Sequence, residues 1–191
     1  MPQPGAGAHR WEPGRPLVLT GFMGAGKSTI GPIVAARLGR PFHDSDDLVT
    51  AATGRTPQEW IASGDEEGFR RREEVVVGQA VAEGPVVLAL GGGAITRAAV
   101  RDLLAGQALV VHLFLPWTHL LGRLDEMRPS RPLLHGLSDA EVHELYSQRI
   151  EWYGSADLEV DVAGLGPGEA AERVLRALPA PAAPAPGAGA P

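Results

Sequence analysis

Residues 17–38 read LVLTGFMGAGKSTIGPIVAARL, and within them residues 21–28 match the phosphate-binding pattern GxxxxGK[ST] in full. The run at Leu17–Thr20 is typical of a short buried strand, and residues 29–38 carry apolar side chains at helical spacing. Lys27 is the only lysine in a chain with 17 Lys and Arg residues, which argues against ordinary surface charge. An accidental glycine-rich turn is the alternative in a chain with 25 Gly, but strand, loop and helix occur in the required order.

The chemistry of phosphate binding accounts for this spacing. Glycines let the backbone turn sharply, so that successive N–H groups and the helix N-terminus surround an anion. We expect the Lys27 ammonium to reach the β- and γ-phosphates of a nucleotide. We expect the Ser28 hydroxyl to bind Mg²⁺, whose other ligands are waters and phosphate oxygens. The predicted nucleotide-binding residues of the loop are Gly24, Ala25, Gly26, Lys27, Ser28 and Thr29.

Size and composition predict one domain. The chain has 191 residues, 44% of them hydrophobic, which is enough for one sizeable core. A net charge of -6 and scattered arginines disfavour a nucleic-acid partner, and the lack of cysteine excludes disulfides and thiolate metal sites. No apolar run is long enough for a membrane span, and residues 1–16 lack the apolar core of a secretory signal. We predict one domain at 17–177 between flexible ends at 1–16 and 178–191, the latter almost entirely Ala, Pro and Gly.

Apolar runs bounded by turn residues alternate with helical patterns along the chain. The predicted strands are Leu17–Thr20 and residues 40–43, 85–90, 109–115 and 156–162. The predicted helices are residues 27–38, 57–63, 66–82, 96–105, 117–125, 138–152 and 168–177. This alternation indicates a three-layer α/β fold, in which helices cover both faces of a five-stranded, mainly parallel sheet. Ligands of such folds bind at the carboxyl ends of the strands, so residues that follow a strand are the candidates for a site.

Three carboxylates follow the second predicted strand, at Asp44, Asp46 and Asp47. Alternate carboxylates can divide two tasks: we expect Asp44 to lie near Mg²⁺, through a water, and Asp46 to reach a substrate hydroxyl. Asp47 is then expected to begin the next helix. Aspartate is also a preferred N-cap residue, so helix capping explains one of the three and is the alternative for the cluster.

Glycines and arginines supply further candidates. The triplet Gly91, Gly92 and Gly93 follows the third predicted strand, where a ligand can approach the backbone and bind its N–H groups. A tight turn into the next helix is the alternative explanation for the triplet. The helix predicted at 66–82 carries three successive arginines that begin at Arg70, and only one of them can point at a given face.

A segment with two prolines and one glycine separates two helical patterns, and it predicts a mobile lid at about 125–137. The planar guanidinium of arginine can hold a phosphate at two points, so a lid that carries Arg131 can close over ATP and exclude water. We expect Arg128, in contrast, to be ordinary surface. Arg123 and Arg149 flank the segment on either side.

Taken in order, these motifs resemble those of the shikimate kinase family over about residues 17–162. The family pattern G-x-x-G-x-G-K-S matches residues 21–28, D-x-D matches 44–46, F-R-x-x-E matches 69–73, and the glycine triplet matches 91–93. The lid signature R-P-L-L matches 131–134, and the arginine of R-x-P-x-Y aligns with Arg149. Glu151 stands where the last motif has proline, so we expect the backbone around Arg149 to differ from that of the family.

The resemblance implies a P-loop kinase fold and transfer of the γ-phosphate of MgATP to the 3-hydroxyl of shikimate. By the same resemblance Asp46 binds the acceptor hydroxyl and accepts its proton, while Arg131 descends with the lid onto the phosphates. The implied catalytic residues are Lys27, Asp46 and Arg131. The implied shikimate-binding residues are Asp46, Arg70, Gly91, Gly92, Gly93 and Arg149.

Individual roles follow from the resemblance as well. Arg70 and Arg149 clamp the shikimate carboxylate, and Gly92 donates a backbone hydrogen bond. Arg123 is expected to lie against the adenine. Glu73 is expected to orient Arg70, which lies three residues earlier on the same helix.

Two other functions compete with this one. A gluconate or nucleoside monophosphate kinase would share the loop and lid but not the acceptor pocket, and Arg70, the glycine triplet and Arg149 disfavour it. A non-catalytic nucleotide-binding paralogue could lose catalytic groups, yet all of them are present here. We expect a cytoplasmic enzyme, a monomer by default, whose partner is shikimate and not a nucleic acid or a membrane.

Overall fold

The computed structural model describes Glu12 and residues 14–180. The predicted flexible ends, 1–16 and 178–191, therefore lie mostly outside the described residues. Within the described part, the strands are β1 (Leu17–Thr20), β2 (Phe42–Asp44), β3 (Val87–Ala89), β4 (Leu109–Phe114) and β5 (Leu158–Asp161). They form one sheet in the order β2-β3-β1-β4-β5, and every neighbouring pair is parallel. The predicted five-stranded α/β fold is confirmed.

The sequence of β1 explains its central place in the sheet. All four residues of β1 are buried, because the strand has neighbours on both edges and helices on both faces. Leu17 pairs with Val87 of β3 on one side and with Leu109 of β4 on the other. Such a position demands a continuous apolar run rather than an alternating one. The edge strand β5, in contrast, exposes Glu159 and Asp161.

Helices cover the sheet and carry the site. They are α1 (Lys27–Leu38), α2 (Ser45–Thr53), α3 (Pro57–Ala62), α4 (Glu66–Ala82), α5 (Ala98–Leu104), α6 (Trp117–Leu121), α7 (Leu124–Met127), α8 (Asp139–Tyr153) and α9 (Pro167–Ala177). Three short 3-10 turns occur at Ala94–Thr96, Arg128–Ser130 and Pro132–Leu134. None of the helices in the described part of the chain has the length and apolarity needed to cross a membrane.

The structure corrects some predicted boundaries. A helix was expected to begin at Asp47, but no range was predicted for it, and α2 begins at Ser45. This helix has nine residues, its first turn is polar, and Ser45 and Val49 are its buried residues, so few apolar positions mark it in the sequence. The single helix predicted at 117–125 is two helices, because the chain leaves helical geometry between Leu121 and Leu124.

Two strands and the predicted lid also differ from expectation. The strand predicted at 85–90 is shorter, and the one predicted at 40–43 is displaced toward Asp44. The lid segment is not an open loop, since α7 and two 3-10 turns occupy most of it. Whether the lid moves stays a prediction.

Candidate active site

Two adjoining chambers lie where β1, β2 and β3 end, at the carboxyl edge of the sheet. The larger chamber has a volume of about 300 Å³ and extends from the phosphate-binding loop to the start of α9. The smaller chamber has a volume of about 80 Å³ and lies between α3, α4 and α8. The residues that line both chambers are Met23, Asp46, Gly91, Gly92 and Arg131. The two chambers therefore share a junction that is rich in predicted site residues.

The phosphate-binding loop has the geometry that its sequence predicts. Gly24 and Gly26 both have φ of 87°, a left-handed conformation that favours glycine. Lys27 is buried, and its Nζ donates to the carbonyl oxygens of Gly21 at 2.7 Å and Phe22 at 3.2 Å. Burial lowers the pKa of Lys27 to about 8, although the nearby Asp44 carboxylate opposes this change. An anionic phosphate would act in the same direction as Asp44 and hold the ammonium in its charged form.

Ser28 and Asp44 form the hydroxyl–carboxylate pair expected beside Mg²⁺. The Ser28 Oγ donates to Asp44 Oδ2 at 2.6 Å. The other oxygen of Asp44 accepts from the Asp46 backbone N–H at 3.0 Å and so caps α2. Helix capping and metal binding are thus compatible roles of one carboxylate. Both groups offer hard oxygen donors, and among the described residues no cluster of three or more His, Cys, Asp or Glu could hold a metal alone.

Asp46 lies at the junction of the two chambers, and its pKa differs from the ordinary value. Burial, together with the neighbouring carboxylates Asp44 and Glu73, raises its pKa from 3.8 to about 6. Lys27 and Arg131 act in the opposite direction. A carboxylate with this pKa is ionised at neutral pH yet basic enough to take a proton from a reacting hydroxyl.

A buried chain of polar contacts connects α4, α2 and the glycine triplet. Arg70 Nη1 donates to Glu73 Oε2 at 2.7 Å, as predicted for this pair. The Ser45 hydroxyl donates to Glu73 Oε1 at 3.2 Å and accepts from the Gly91 N–H at 2.7 Å. Burial raises the pKa of Glu73, and the Arg70 guanidinium offsets part of that rise. Of the three successive arginines only Arg70 is buried, and it lines the smaller chamber.

The role of Gly91 differs from the one predicted. Its N–H already donates to Ser45, so it is not a donor for a ligand. The reason for glycine at this position is space: a Cβ there would lie 2.4 Å from Glu73 Oε1 and 2.9 Å from Asp46 Oδ1. At Gly93 a Cβ would lie 2.5 Å from Arg70 Nη2. At Gly92 the nearest atom, Arg149 Nη1, would be at an ordinary 3.5 Å. Gly92 and Gly93 stay predicted backbone donors.

We expect Gly91→Ala to destabilise the fold by about 1–3 kcal/mol, because the new methyl group displaces the buried Glu73 carboxylate. Thermal and urea unfolding of the protein without ligand measure this. Gly92→Ala is the matched control, since its methyl group meets only ordinary contacts and its φ is not left-handed. Equal stability losses in the two variants would contradict the packing argument.

Arg149 reaches the smaller chamber from α8, whereas Arg70 reaches it from α4. Its side chain is buried, and its guanidinium carbon lies 5.6 Å from the centre of the Phe22 ring. Burial lowers the pKa of Arg149. Within the described residues its Nη1 atom is buried without a hydrogen-bond partner. Helix α8 continues through Glu151 to Tyr153, so the replacement of proline leaves Arg149 on an unbroken helix.

The lid contributes Arg131 at the junction of the chambers. Arg131 is exposed and lines both of them, and Arg123 lines the larger one. The prediction that Arg128 is ordinary surface is wrong. Its guanidinium donates to the carbonyl oxygens of Leu134, at 3.1 Å, and of Leu137. It also donates to Asp139 Oδ1 at 2.6 Å, so Arg128 ties the two ends of the lid together.

Sequence reasoning missed most of the apolar walls of both chambers. The missed residues are Val162, Leu165, Pro167 and Ala170 in the larger chamber and Pro57 and Ile61 in the smaller one, whereas Phe69 and Leu133 lie within the motifs at 69–73 and 131–134. The missed residues carry no chemical signature and come from distant parts of the chain. Only the folded sheet brings them to the same edge.

A phosphate-binding loop alone is common to many nucleotide-hydrolysing proteins, but a second chamber beside it, with a carboxylate at the junction, accommodates an acceptor. The fold and site together define a P-loop kinase that phosphorylates a small molecule. The family model described as shikimate kinase matches residues 23–179, which is most of the chain. The chain belongs to the shikimate kinase family, and it is therefore an ATP-dependent kinase.

Individual relatives agree with this assignment. The chain is 39% identical over 176 residues to the shikimate kinase of Synechococcus sp. (strain RCC307), with 90% of each protein covered. It is also similar in structure to the shikimate kinase from Acinetobacter baumannii solved in complex with shikimate. The TM-score is 0.76 at 34% identity, over 85% of this chain and 91% of that one. A gluconokinase from Sinorhizobium meliloti has a TM-score of 0.55 at 19% identity, over 88% of this chain and 93% of that one, a likeness of fold alone.

Proposed function

We propose that the larger chamber binds MgATP and the smaller chamber binds shikimate, so that the γ-phosphate passes to the 3-hydroxyl of shikimate at their junction. Shikimate offers one carboxylate and several hydroxyls. The carboxylate would lie between Arg70 and Arg149, and the reacting hydroxyl would lie beside Asp46. ADP and shikimate 3-phosphate are the products.

One observation carries this proposal. Arg70 is already paired with Glu73 and Glu66, whereas the buried Arg149 Nη1 has no hydrogen-bond partner in the described part of the chain. A buried, unpaired guanidinium nitrogen is costly unless a ligand satisfies it. Because Arg149 and Arg70 line the same chamber, their positive charges favour the binding of an anion there. A carboxylate suits the planar fork of arginine.

On the nucleotide side, the protein acts by positioning and by stabilising charge. The loop N–H groups hold the phosphates, and Lys27 would exchange its carbonyl contacts for the β- and γ-phosphate oxygens. Arg131, from the lid, would approach the transferring group from the junction. Ser28 and Asp44 would hold Mg²⁺, Asp44 through a water, and the bound metal neutralises charge that develops on the phosphates.

On the acceptor side, Asp46 is the proposed general base. The 3-hydroxyl oxygen forms a bond to the γ-phosphorus as the bond between that phosphorus and the bridging oxygen of ADP breaks. The hydroxyl proton passes to the Asp46 carboxylate. The pKa of about 6 keeps Asp46 ionised at neutral pH before the step and able to hold the proton after it.

The proposed function is tested by ADP release from MgATP with shikimate, gluconate or AMP as acceptor, or with none. We expect turnover that depends on shikimate, and Lys27→Ala serves as the blank. Turnover with gluconate or AMP instead would keep the kinase fold and remove the roles given to Arg70 and Arg149. ATP binding without turnover would favour the non-catalytic alternative.

We expect Arg149→Met to raise the KM for shikimate by about 10- to 150-fold, because a charge-assisted hydrogen bond contributes about 1.5–3 kcal/mol. The KM for ATP should change by less than about twofold. Steady-state kinetics with each substrate varied in turn measure both constants. A comparable rise in the KM for ATP would contradict a carboxylate-binding role.

The proposal also covers the location of the protein, its lack of a nucleic-acid partner and its oligomeric state. A need for ATP supports a cytoplasmic location, and the scattered charges support a protein without a nucleic-acid partner. We infer that the protein is a monomer. Sedimentation at micromolar protein concentration would test this.

A further inference from the structure

Tyr153, the last residue of α8, joins the sheet to the glycine triplet. Its side chain is buried, and its ring stacks on that of His112 in β4 with 4.8 Å between the ring centres. Its hydroxyl donates to the carbonyl oxygen of Gly92 at 2.9 Å. Tyr153 therefore contacts the backbone of Gly92, a proposed binding residue.

The Tyr153 hydroxyl acts as a hydrogen-bond donor at this point. Burial raises its pKa, so the phenol is neutral and keeps the proton it donates to Gly92. The positive charge of the Arg149 guanidinium, one helical turn earlier, opposes this rise. The hydroxyl therefore holds the Gly92 carbonyl within reach of the Arg149 charge.

The contact with Gly92 also determines where the next N–H points. In a trans peptide the carbonyl and the following N–H point in opposite directions, and the described residues contain no cis peptide. Holding the Gly92 carbonyl thus fixes the direction of the Gly93 N–H. The carbonyls of the other two glycines are held separately, Gly91 by the Ala94 N–H at 3.0 Å and Gly93 by the Thr96 hydroxyl at 2.8 Å.

The triplet consequently lies between the two arginines. A Cβ on Gly92 would lie 3.5 Å from Arg149 Nη1, and a Cβ on Gly93 would lie 2.5 Å from Arg70 Nη2. A small rotation of the peptide that joins Gly92 to Gly93 would move the Gly93 N–H relative to both guanidinium groups. Precise placement of such donors is what allows a small anion to be bound.

We propose that Tyr153 is a positioning residue for the acceptor carboxylate, because its hydroxyl holds the Gly92 carbonyl and thereby fixes the direction of the Gly93 N–H beside Arg149. The inference rests on the proposed function and adds to it. Tyr153 does not touch the substrate; it orients the Gly93 N–H that does. The neutral ring of His112, whose pKa is lowered by burial, supports the phenol from the sheet.

Tyr153→Phe removes one oxygen atom and leaves the stacked ring. We expect the KM for shikimate to rise by about 5- to 30-fold, with less than about a twofold change in kcat or in the KM for ATP. With the methyl ester of shikimate, which lacks the negative charge, the variant and the natural protein should have KM values within about twofold of each other. The loss thus depends on the substrate carboxylate, which a purely structural role of Tyr153 would not produce.

Tyr146→Phe is the matched control. Tyr146 lies on the same helix, is similarly buried, and its hydroxyl also donates to a carbonyl oxygen, that of Leu115 at 3.1 Å. It should leave the KM for shikimate unchanged. Each variant is assayed well below its own midpoint of thermal unfolding.

Two results would overturn the inference: an unchanged KM for shikimate in Tyr153→Phe, or equal losses for shikimate, its methyl ester and ATP. Failure of the proposed function looks different, because the natural protein itself would then show no turnover with shikimate. Calorimetric titration of shikimate into the natural protein and Tyr153→Phe separates weakened binding from slowed chemistry. Weaker binding in the variant alone supports the inference.

Discussion

Replacing Asp46 with asparagine is expected to lower kcat for shikimate phosphorylation by about 10²- to 10⁴-fold, the range over which general-base catalysis contributes. Asparagine keeps the size of the side chain and its ability to contact the acceptor hydroxyl, but it cannot accept the proton. MgATP affinity should change little, because Lys27 and the loop N–H groups hold the phosphates. Single-turnover kinetics measure the chemical step, and calorimetric titration of MgATP measures the affinity.

The same substitution is expected to stabilise the protein. The folded-state pKa of Asp46 is raised from 3.8 to about 6, so the ionised carboxylate is less favourable in the folded state than in the unfolded state. This penalty is fully present above pH 6 and disappears as pH falls below 4. Asp46→Asn removes it, so at pH 8, without nucleotide or metal, we expect a gain on the order of 1–3 kcal/mol in the free energy of unfolding.

Asp47→Asn is the control for both measurements. Asp47 is the next residue on α2, but its side chain is exposed. It should retain activity, and its stability should fall by no more than about 1 kcal/mol through the lost helix-dipole interaction. A loss of MgATP affinity in Asp46→Asn as large as its loss of kcat would contradict the role of base, and lower stability would contradict the unfavourable charge.

The fold was predictable because its strongest signals are local. The apolar run of β1, the glycine loop and the helix after it are contiguous, and the buried residues of α4 and α8 recur at helical spacing. A helix start was expected at Asp47, but the range of α2 escaped prediction because its start is a polar run that serves as N-cap, first turn and site at once. Its position is set by the Asp44 cap and by burial of Val49, and neither is visible as a periodic pattern.

The candidate site was predictable in its charged members but not in their mutual contacts. The motif residues identified the phosphate loop, Asp46, Arg70 and Arg149 as members of one site. Nothing in the order of residues indicates that Ser45 takes up the Gly91 N–H, or that Arg128 holds the lid ends. The first contact joins segments that are distant in sequence, and the second lies within the turns of the lid. Both therefore depend on the folded geometry.

Replacing Arg70 with alanine is expected to have two effects, because this side chain serves both the fold and the acceptor. Its partner Glu73 is only 1% exposed, so removal of the guanidinium leaves a buried carboxylate without a counter-ion. We expect a loss of about 3–5 kcal/mol in the free energy of unfolding, together with weaker shikimate binding. Urea unfolding measures the first effect and steady-state kinetics the second. Arg71→Ala is the control, since Arg71 pairs only loosely, at 3.7 Å, with the exposed Glu67.

The double variant Arg70→Ala/Glu73→Gln separates the two effects. Glutamine cannot carry the uncompensated charge, and its carbonyl oxygen can still accept from Ser45, which donates to Glu73 in the natural protein. We expect it to regain most of the lost stability while the KM for shikimate stays as high as in Arg70→Ala. Recovery of shikimate binding together with stability would mean that Arg70 acts only as the counter-ion of Glu73. The buried ion pair would then be structural, and the acceptor carboxylate would depend on Arg149 and the glycine triplet.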